Sequence, residues 1–363
     1  MKEFSLGELL AVLDRYTLSG NVVSVTPYGH GHINRTFFVE TNEKKYILQA
    51  INTEVFRNPV GLMENLKGVT AYLADRTDDA RTVMRVLNNR EGECYTVDAE
   101  GYYWRLLTFV EGSICLERPE SEEDFYQAAF AFGKFQRDLV DYPADTLVET
   151  IPDFHNTPKR FEAFLAAVDA DVCSRVAGVR EEIDFYLSNK DFYPVLLNAN
   201  REGRLPLRVT HNDTKINNVM LDRATRRALC VVDLDTIMPG FSVTDFGDSI
   251  RFGACTAAED EPDASKMHLD LGLFEAYARG FLDGCGGGLP ESEVMLMPEG
   301  ALMMTLECGM RFLTDYLSGD TYFRIAYPEH NLVRARTQIA LAREMKEQFA
   351  DMKAIIEKIY QQT

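Results

Sequence analysis

The sequence predicts an α+β chain in two lobes, a small β-rich lobe over residues 1–112 followed by a larger, mainly helical lobe over 113–363. Three observations lead there. The chain has 363 residues, more than the ~150 that typify one domain. Runs rich in β-branched and aromatic residues crowd its first third, and helical periodicity fills most of the rest. A β-like island at 207–240 interrupts the helical part and carries a cluster of polar residues bounded by apolar runs.

The opening stretch, MKEFSLGELLAVLDRY, reads as an amphipathic helix started by the capping box Ser5-x-x-Glu8, not as a signal peptide. The runs at 22–28 and 35–40 flank the turn YGHGHIN, and a third strand at 44–52 follows Thr41-Asn42-Glu43. Leu62, Leu66, Val69 and Leu73 give 59–75 a helical spacing. ECYTV and YYWRLLTFV form a hairpin across Asp98-Ala99-Glu100-Gly101. Beyond Gly112, Ser121-x-x-Asp124 caps a helix striped by Phe125, Ala128, Ala129, Phe132, Phe135 and Leu139. Further helices are expected at 157–171, 179–190, 265–283, 298–318 and 331–360, with a loop at Gly284–Gly288. On 298–318, Leu302, Leu306, Met310, Leu313 and Leu317 make the apolar stripe, while Glu307, Arg311 and Asp315 follow at intervals of four. Those three are either a solvated salt-bridge row or a cleft-facing set in which Arg311 donates to a bound hydroxyl or amide carbonyl. The last helix, with Met345, Phe349, Met352, Ile356 and Ile359, is expected to dock on its own lobe, so a monomer is favoured with oligomeric state otherwise open. A small β-rich lobe in front of a larger helical one is the bilobal organisation of a protein-kinase-like fold.

Charge and cysteine content exclude several classes. Against 38 Lys and Arg stand 57 Asp and Glu, a net charge of −19. Nucleic acid and an anionic membrane both select basic faces, so neither is expected as a partner. The seven cysteines are scattered with no C-x-x-C pair, which fits a reducing cytoplasm better than a disulfide framework or a structural zinc site.

The island carries the chemistry. His211-Asn212-Asp213-Thr214-Lys215-Ile216-Asn217-Asn218 has the form H-x-D-x-x-x-x-N between two apolar runs, and Val231-Val232-Asp233-Leu234-Asp235 follows as a strand ending in carboxylates. Phosphoryl transfer needs a carboxylate to orient the acceptor hydroxyl and take its proton, and oxygen ligands for the nucleotide's Mg²⁺. Asp213 suits the base, Asn218 and Asp233 the metal, Lys215 the γ-phosphate, and His211 the ordering of the loop. The competing reading is a turn with Asx caps and an exposed strand end, which the order strand, loop, hairpin, strand disfavours. Gly29 and Gly31 stand where backbone N–H groups could approach phosphates. Where a kinase strand carries lysine, this chain has Gln49. Either Gln49 makes a hydrogen bond instead, or another cation, such as Lys215 or the metal, carries that charge. Asp245, in Asp245-Phe246-Gly247-Asp248, is read as a buttress of the loop from a helix start, or as a simple N-cap.

PYGHGHIN, KKYILQ, LRVTHNDTKINN, IMPG, DFGDSIRFGA, ECGMRFLTDYLSGD and YPEHNLVRARTQ together resemble the aminoglycoside phosphotransferase and choline kinase superfamily, and nearly end to end its N-acetylhexosamine 1-kinases. The resemblance implies ATP- and Mg²⁺-dependent phosphorylation of the anomeric C1 hydroxyl of N-acetylglucosamine or N-acetylgalactosamine, giving the α-1-phosphate. It implies Asp213 as base, Asn218 and Asp233 as Mg²⁺ ligands, and His32, Phe252, Arg311 and Tyr322 as sugar contacts. Without it, these last four read as a loop histidine, a core phenylalanine, a salt-bridged arginine and a surface tyrosine. Adenine is expected against the backbone of Thr108, Phe109, Val110 and Glu111, and Gln49 belongs to that subgroup's pattern. The alternatives are the same chemistry on an aminoglycoside, choline or another alcohol, or an inactive nucleotide-binding module.

Overall fold

A computed structural model describes residues 2–29 and 33–362. Its first layer is built by alternation. After α1 (Leu6–Leu13), whose Ser5–Glu8 capping box is formed as the sequence predicts, come β1 (Val22–Pro27), β2 (Arg35–Thr41) and β3 (Lys45–Ala50). Next follow α2 (Pro59–Ala74), β4 (Val86–Leu87), β5 (Thr96–Val97) and β6 (Tyr103–Thr108). The antiparallel sheet has the order β1-β2-β3-β6-β4, with β5 also on β6. Successive side chains on β3 take opposite faces. Tyr46, Leu48 and Ala50 pack with Leu9, Val12, Leu13 and Trp104 under α1, while Ile47 turns to Leu62, Leu66 and Val69 of α2. That second cluster also takes in Phe135, Val209, Leu234 and Ile237, so the sheet is seated on the rest of the molecule by apolar contact.

The remainder is helical around one large core. β7 (Ser113–Cys115) leads into α3 (Glu122–Asp138), capped by Ser121, then α4 (Thr157–Ala170), α5 (Arg180–Ser188) and α6 (Val195–Arg201). The island becomes β8 (Arg208–Thr210), β9 (Val219–Asp222), β10 (Ala228–Val231) and β11 (Met238–Gly240). These form two small antiparallel sheets, β10-β9-β7 and β11-β8. α7 (Ser242–Gly253), α8 (Leu271–Cys285), α9 (Glu291–Val294), α10 (Met297–Leu317), α11 (His330–Glu347) and α12 (Phe349–Tyr360) complete the chain. The fold is the α+β, protein-kinase-like arrangement that the sequence predicts, an antiparallel sheet lobe joined to a helical lobe.

Three expectations need correction. α8 starts at Leu271, where the Asp270 side chain accepts from Leu273 N–H, and 264–266 is a separate 3₁₀ turn. α8 also runs through Gly284 to Cys285 and ends at Gly286 in the left-handed region (φ 57°), so the loop begins later than the glycine run suggests. The terminal helix breaks at Gln348 into α11 and α12. Met345, Met352, Ile356 and Ile359 nonetheless dock in the large core as expected. Among the described residues no helix is long and apolar enough to cross a membrane, and the seven cysteines are free.

α7 and α10 approach closely enough to share a backbone contact. A Cβ at Gly247 would stand 2.3 Å from the Gly300 carbonyl oxygen, and one at Gly300 would stand 2.1 Å from that of Val243. Only glycine fits there, so α7, which carries Asp245 and Asp248, lies close against α10, which carries Glu307 and Arg311. Gly247→Ala should therefore lower stability by about 1–3 kcal/mol through overpacking. Urea unfolding of the two proteins checks this; an unchanged midpoint would mean that the helices separate at no cost.

Candidate active site

The site grows from the end of β8. The chain turns at Asn212 in the left-handed region (φ 64°), a conformation that persists in a non-glycine residue only when its surroundings impose it. The Asp245 carboxylate does so from the first turn of α7, accepting His211 N–H at 2.9 Å and Asn212 N–H at 2.8 Å. Asp248 accepts Thr214 N–H at 3.1 Å, and the Thr214 hydroxyl donates to the Asp245 carbonyl at 2.5 Å. Asp245 is thus the buttress expected from the sequence and not an N-cap, since the cap position falls to Phe241. Burial raises its carboxyl above the usual range, against the pull of His211 and the two backbone donors. The fully buried His211 ties the loop to the next strand, donating from Nε2 to the Val232 carbonyl at 2.8 Å and accepting Asp213 N–H on Nδ1 at 3.3 Å.

Asp213, Lys215 and Asn218 converge. Lys215 Nζ stands 2.9 Å from Asp213 Oδ1, and the Asn218 amide donates to the Asp213 carbonyl at 2.8 Å and to its Oδ2 at 3.1 Å. Desolvation would raise the Asp213 carboxyl, but Lys215, then His211 and Arg251, hold it below the usual range. Val232 N–H donates to the Asn218 carbonyl at 2.9 Å, which brings Asp233 alongside. Asp233 is itself left-handed (φ 59°). Its carboxyl is pushed up to about 6 by desolvation first and then by the charges of Asp235 and Asp213. Asn218 spends its N–H donors on Asp213, which leaves Oδ1 without a protein donor among the described residues. A carbonyl oxygen beside mutually repelling carboxylates is a hard, anionic donor set of the kind that suits Mg²⁺. Among the described residues no three His, Cys, Asp or Glu side chains gather into a site of their own.

The cation missing at Gln49 stands one strand away. Arg105 pairs with Gln49 across β3 and β6, donates Nε–H to Gln49 Oε1 at 2.8 Å and forms an ion pair with Asp235. Arg105 and Asp235 are both buried, and Asp235 also accepts from Asn34 Nδ2 at 2.5 Å. Gln49 in turn donates to the Thr36 hydroxyl at 2.9 Å. Gln49 is thus hydrogen-bonded to an arginine and a threonine of its own sheet. Gly29 is left-handed (φ 73°), whereas Gly31 and His32 lie outside the described residues. At 108–111, Val110 is buried with Cys230 and Val232 beside Met84 and Met220, and Phe109 meets Phe38 edge-on. Thr108 accepts Arg85 N–H on its hydroxyl, and Glu111 is exposed.

The row on α10 is not solvated. Glu307 and Asp315 are buried, and each has a defined load. Glu307 Oε1 bonds His155 Nδ1 at 2.8 Å, and Oε2 accepts the Thr157 hydroxyl at 2.5 Å. Asp315 accepts the backbone N–H groups of Thr321, Tyr322 and Phe323 at 2.8–2.9 Å, which fixes the turn carrying those rings. Between them the Arg311 guanidinium lies 5.2 Å from the ring of Phe154, 5.7 Å from Tyr322 and 5.5 Å from Phe323. It has no carboxylate partner among the described residues. Arg311 and Tyr322 are thus brought together; Phe252, on α7, packs half-buried against the large core. Sequence reasoning missed His155, Phe154 and Arg105. The first two lie in a stretch without periodicity, and Arg105 looks like an outward residue on a strand buried on both sides.

A family model described as the phosphotransferase enzyme family, APH, matches residues 24–280. Among solved structures, an aminoglycoside phosphotransferase from Alicyclobacillus acidocaldarius is similar over 96% of each chain, with a TM-score of 0.63 at 11% identity. A choline kinase from Cryptosporidium parvum is similar over 93% of each chain, with a TM-score of 0.57 at 12% identity. A spectinomycin phosphotransferase in complex with ADP and spectinomycin is similar over 99% of this chain and 98% of its own, with a TM-score of 0.55 at 11% identity. The shared fold and the family match over most of its length agree: the chain belongs to the APH phosphotransferase family and is a small-molecule phosphotransferase.

Proposed function

We propose that the protein transfers the γ-phosphoryl group of ATP to the anomeric C1 hydroxyl of an N-acetylhexosamine, N-acetylglucosamine or N-acetylgalactosamine, giving the α-1-phosphate and ADP. The observation that carries this reading is Arg311, a cation among three aromatic rings with, among the described residues, no carboxylate against it. A neutral sugar can stack on aromatic faces while an amide carbonyl takes the guanidinium donors. A cationic acceptor such as choline needs carboxylate or aromatic faces free of a competing cation. Arg160 donates to the Phe154 carbonyl on the same wall, and burial, then the charge of Arg311, holds its guanidinium below the usual range.

In this reading Asp213 is the general base. It accepts the C1 hydroxyl proton as the hydroxyl oxygen attacks the γ-phosphorus and the bond to the β-phosphate oxygen breaks. Lys215, at Asp213 Oδ1, keeps the carboxylate ionised and stands near the incoming phosphoryl group. Asn218 and Asp233 would hold Mg²⁺, which supplies charge neutralisation on the phosphates when bound. Adenine lies against 108–111, Gly29 and Gly31 approach the phosphates, and His32, Phe252 and Tyr322 join Arg311 on the sugar. Free cysteines suit a reducing cytoplasm.

Three outcomes are expected. Asp213→Asn lowers kcat by about 10²–10⁴-fold while nucleotide affinity, read by calorimetry, stays nearly intact; near-normal turnover would remove Asp213 as the base. Incubation with ATP and Mg²⁺, followed by ³¹P NMR, yields an anomeric phosphate from the N-acetylhexosamines, and product from choline or kanamycin alone would overturn the acceptor. Arg311→Met raises the acceptor KM by about ten- to a hundredfold and leaves the KM for ATP unchanged; equal effects on both would place Arg311 outside the acceptor site.

A further inference from the structure

His155 lies on the loop before α4 and belongs to no recognised motif. Its ring is 12% exposed and touches two other parts of the molecule. Nε2 is 3.2 Å from the carbonyl oxygen of Asn212, the residue preceding Asp213, and Nδ1 is 2.8 Å from Glu307 on α10. A carbonyl oxygen only accepts, so Nε2 carries a hydrogen. The other proton of the contact then lies between Nδ1 and a carboxylate that is 0% exposed and whose second oxygen is taken by Thr157. The Asn212 backbone is thereby held from both sides, its N–H by Asp245 and its carbonyl by His155. Phe154, next in the chain, carries Arg311 over its ring, so the same dipeptide borders the loop of the base and the acceptor wall.

We propose that His155 is a positioning residue for Asp213, acting through the Asn212 carbonyl, and that the proton shared with Glu307 makes this hold depend on pH. The inference rests on the phosphotransfer reading above. The charged groups facing the ring are Glu307 and Arg311 from α10 and Asp245 and Asp248 from α7. Burial lowers the imidazolium, but Glu307, then Asp248, outweigh burial and Arg311 and hold it above the usual histidine range. The hold is therefore complete below the ordinary imidazole range and is lost as pH rises through the elevated value. When one proton leaves, the buried Glu307 carboxylate keeps the remaining N–H on Nδ1, so Nε2 turns a lone pair to the Asn212 carbonyl, that contact becomes repulsive, and the strained Asn212 loses its donor.

Two variants and one spectrum test this. His155→Phe is expected to lower kcat by about 10²-fold, because a small misplacement of a base costs that much, with the KM for ATP unchanged. In Glu307→Gln the new amide donates to Nδ1, so Nε2–H persists at every pH, and the alkaline decline of kcat expected of the unmodified protein should vanish. In protein labelled with ¹⁵N-histidine, one of the six histidines should remain an imidazolium above the range of the rest, and its signal should be absent from His155→Phe. Wild-type kcat in His155→Phe, an alkaline limb unchanged in Glu307→Gln, or a His155 that titrates in the ordinary range would each overturn the proposal. If His155→Phe does not fold, the Glu307→Gln profile and the spectrum of the unmodified protein decide. Rates are read on whichever acceptor the unmodified protein phosphorylates, so a wrong acceptor shows in that protein alone, and a wrong positioning role shows only in the variants.

Discussion

The site hangs on the Asp245 carboxylate. It is buried, it has Gln136 Nε2 on one oxygen at 3.0 Å, and it spends both oxygens on the backbone of the loop that carries Asp213. Without it, two buried N–H groups would be orphaned at about 1–3 kcal/mol each. The left-handed turn at Asn212 would also have nothing to impose it. The other ties reinforce one grip: Asp248 on Thr214 N–H, Ser249 on the Thr214 carbonyl, Thr236 on the His211 carbonyl. α7 can reach the loop because Gly247 lets it lie against α10, so a close contact between helices ends as the position of a carboxylate.

A second buried interaction joins the sheet to that loop. Arg105 on β6 and Asp235, two residues beyond Asp233, form an ion pair with Gln49 and Asn34 completing its hydrogen bonds. Such a pair adds little net stability over an apolar replacement, but removing one partner strands a buried charge at about 3–5 kcal/mol. Its value is in registration. It fixes β3 and the residue after the glycine turn, Asn34, relative to Asp233. The neutral Gln49 is then no deficiency: it orients an arginine one strand away.

Much of this was legible in the sequence because it depends on neighbours in the chain. Ser5–Glu8, Ser121–Asp124 and the stripe on α10 are local, and His211 to Asn218 is one unbroken loop. What was illegible depends on partners far along the chain. His155 meets Asn212 and Glu307, Arg105 meets Asp235, and Glu307 gives no local sign of whether it faces water or a histidine. Gln348, where the terminal helix breaks, is an ordinary helix former, and 3.6-residue periodicity continues on both sides of it. The strands of two residues, β4 and β5, are too short for alternation to register.

Charge shows why local arrangement outranks the total. A net −19 would repel a nucleotide at long range, yet surface charges act over about 8 Å at physiological ionic strength. At much shorter range the chain sets Lys215 on Asp213 and Arg105 on Asp235, so these two carboxylates are partly neutralised by the protein itself. Asp233 is the exception, its carboxyl pushed up by burial and then by its acidic neighbours, with no cation bonded to it among the described residues. In the proposed reading, that imbalance is what would favour a divalent cation at Asp233 and Asn218 over Asp213 and Asp235. On α10 the balance reverses: Glu307 is spent on His155 and Asp315 on a turn, and Arg311 between them has aromatic rings and, among the described residues, no carboxylate against it. One helix face, read at intervals of four, thus supplies a tie through His155 to the loop of Asp213, a guanidinium with no ion pair and an anchor for the aromatic turn, and in the proposed reading the middle residue is the one that meets the acceptor.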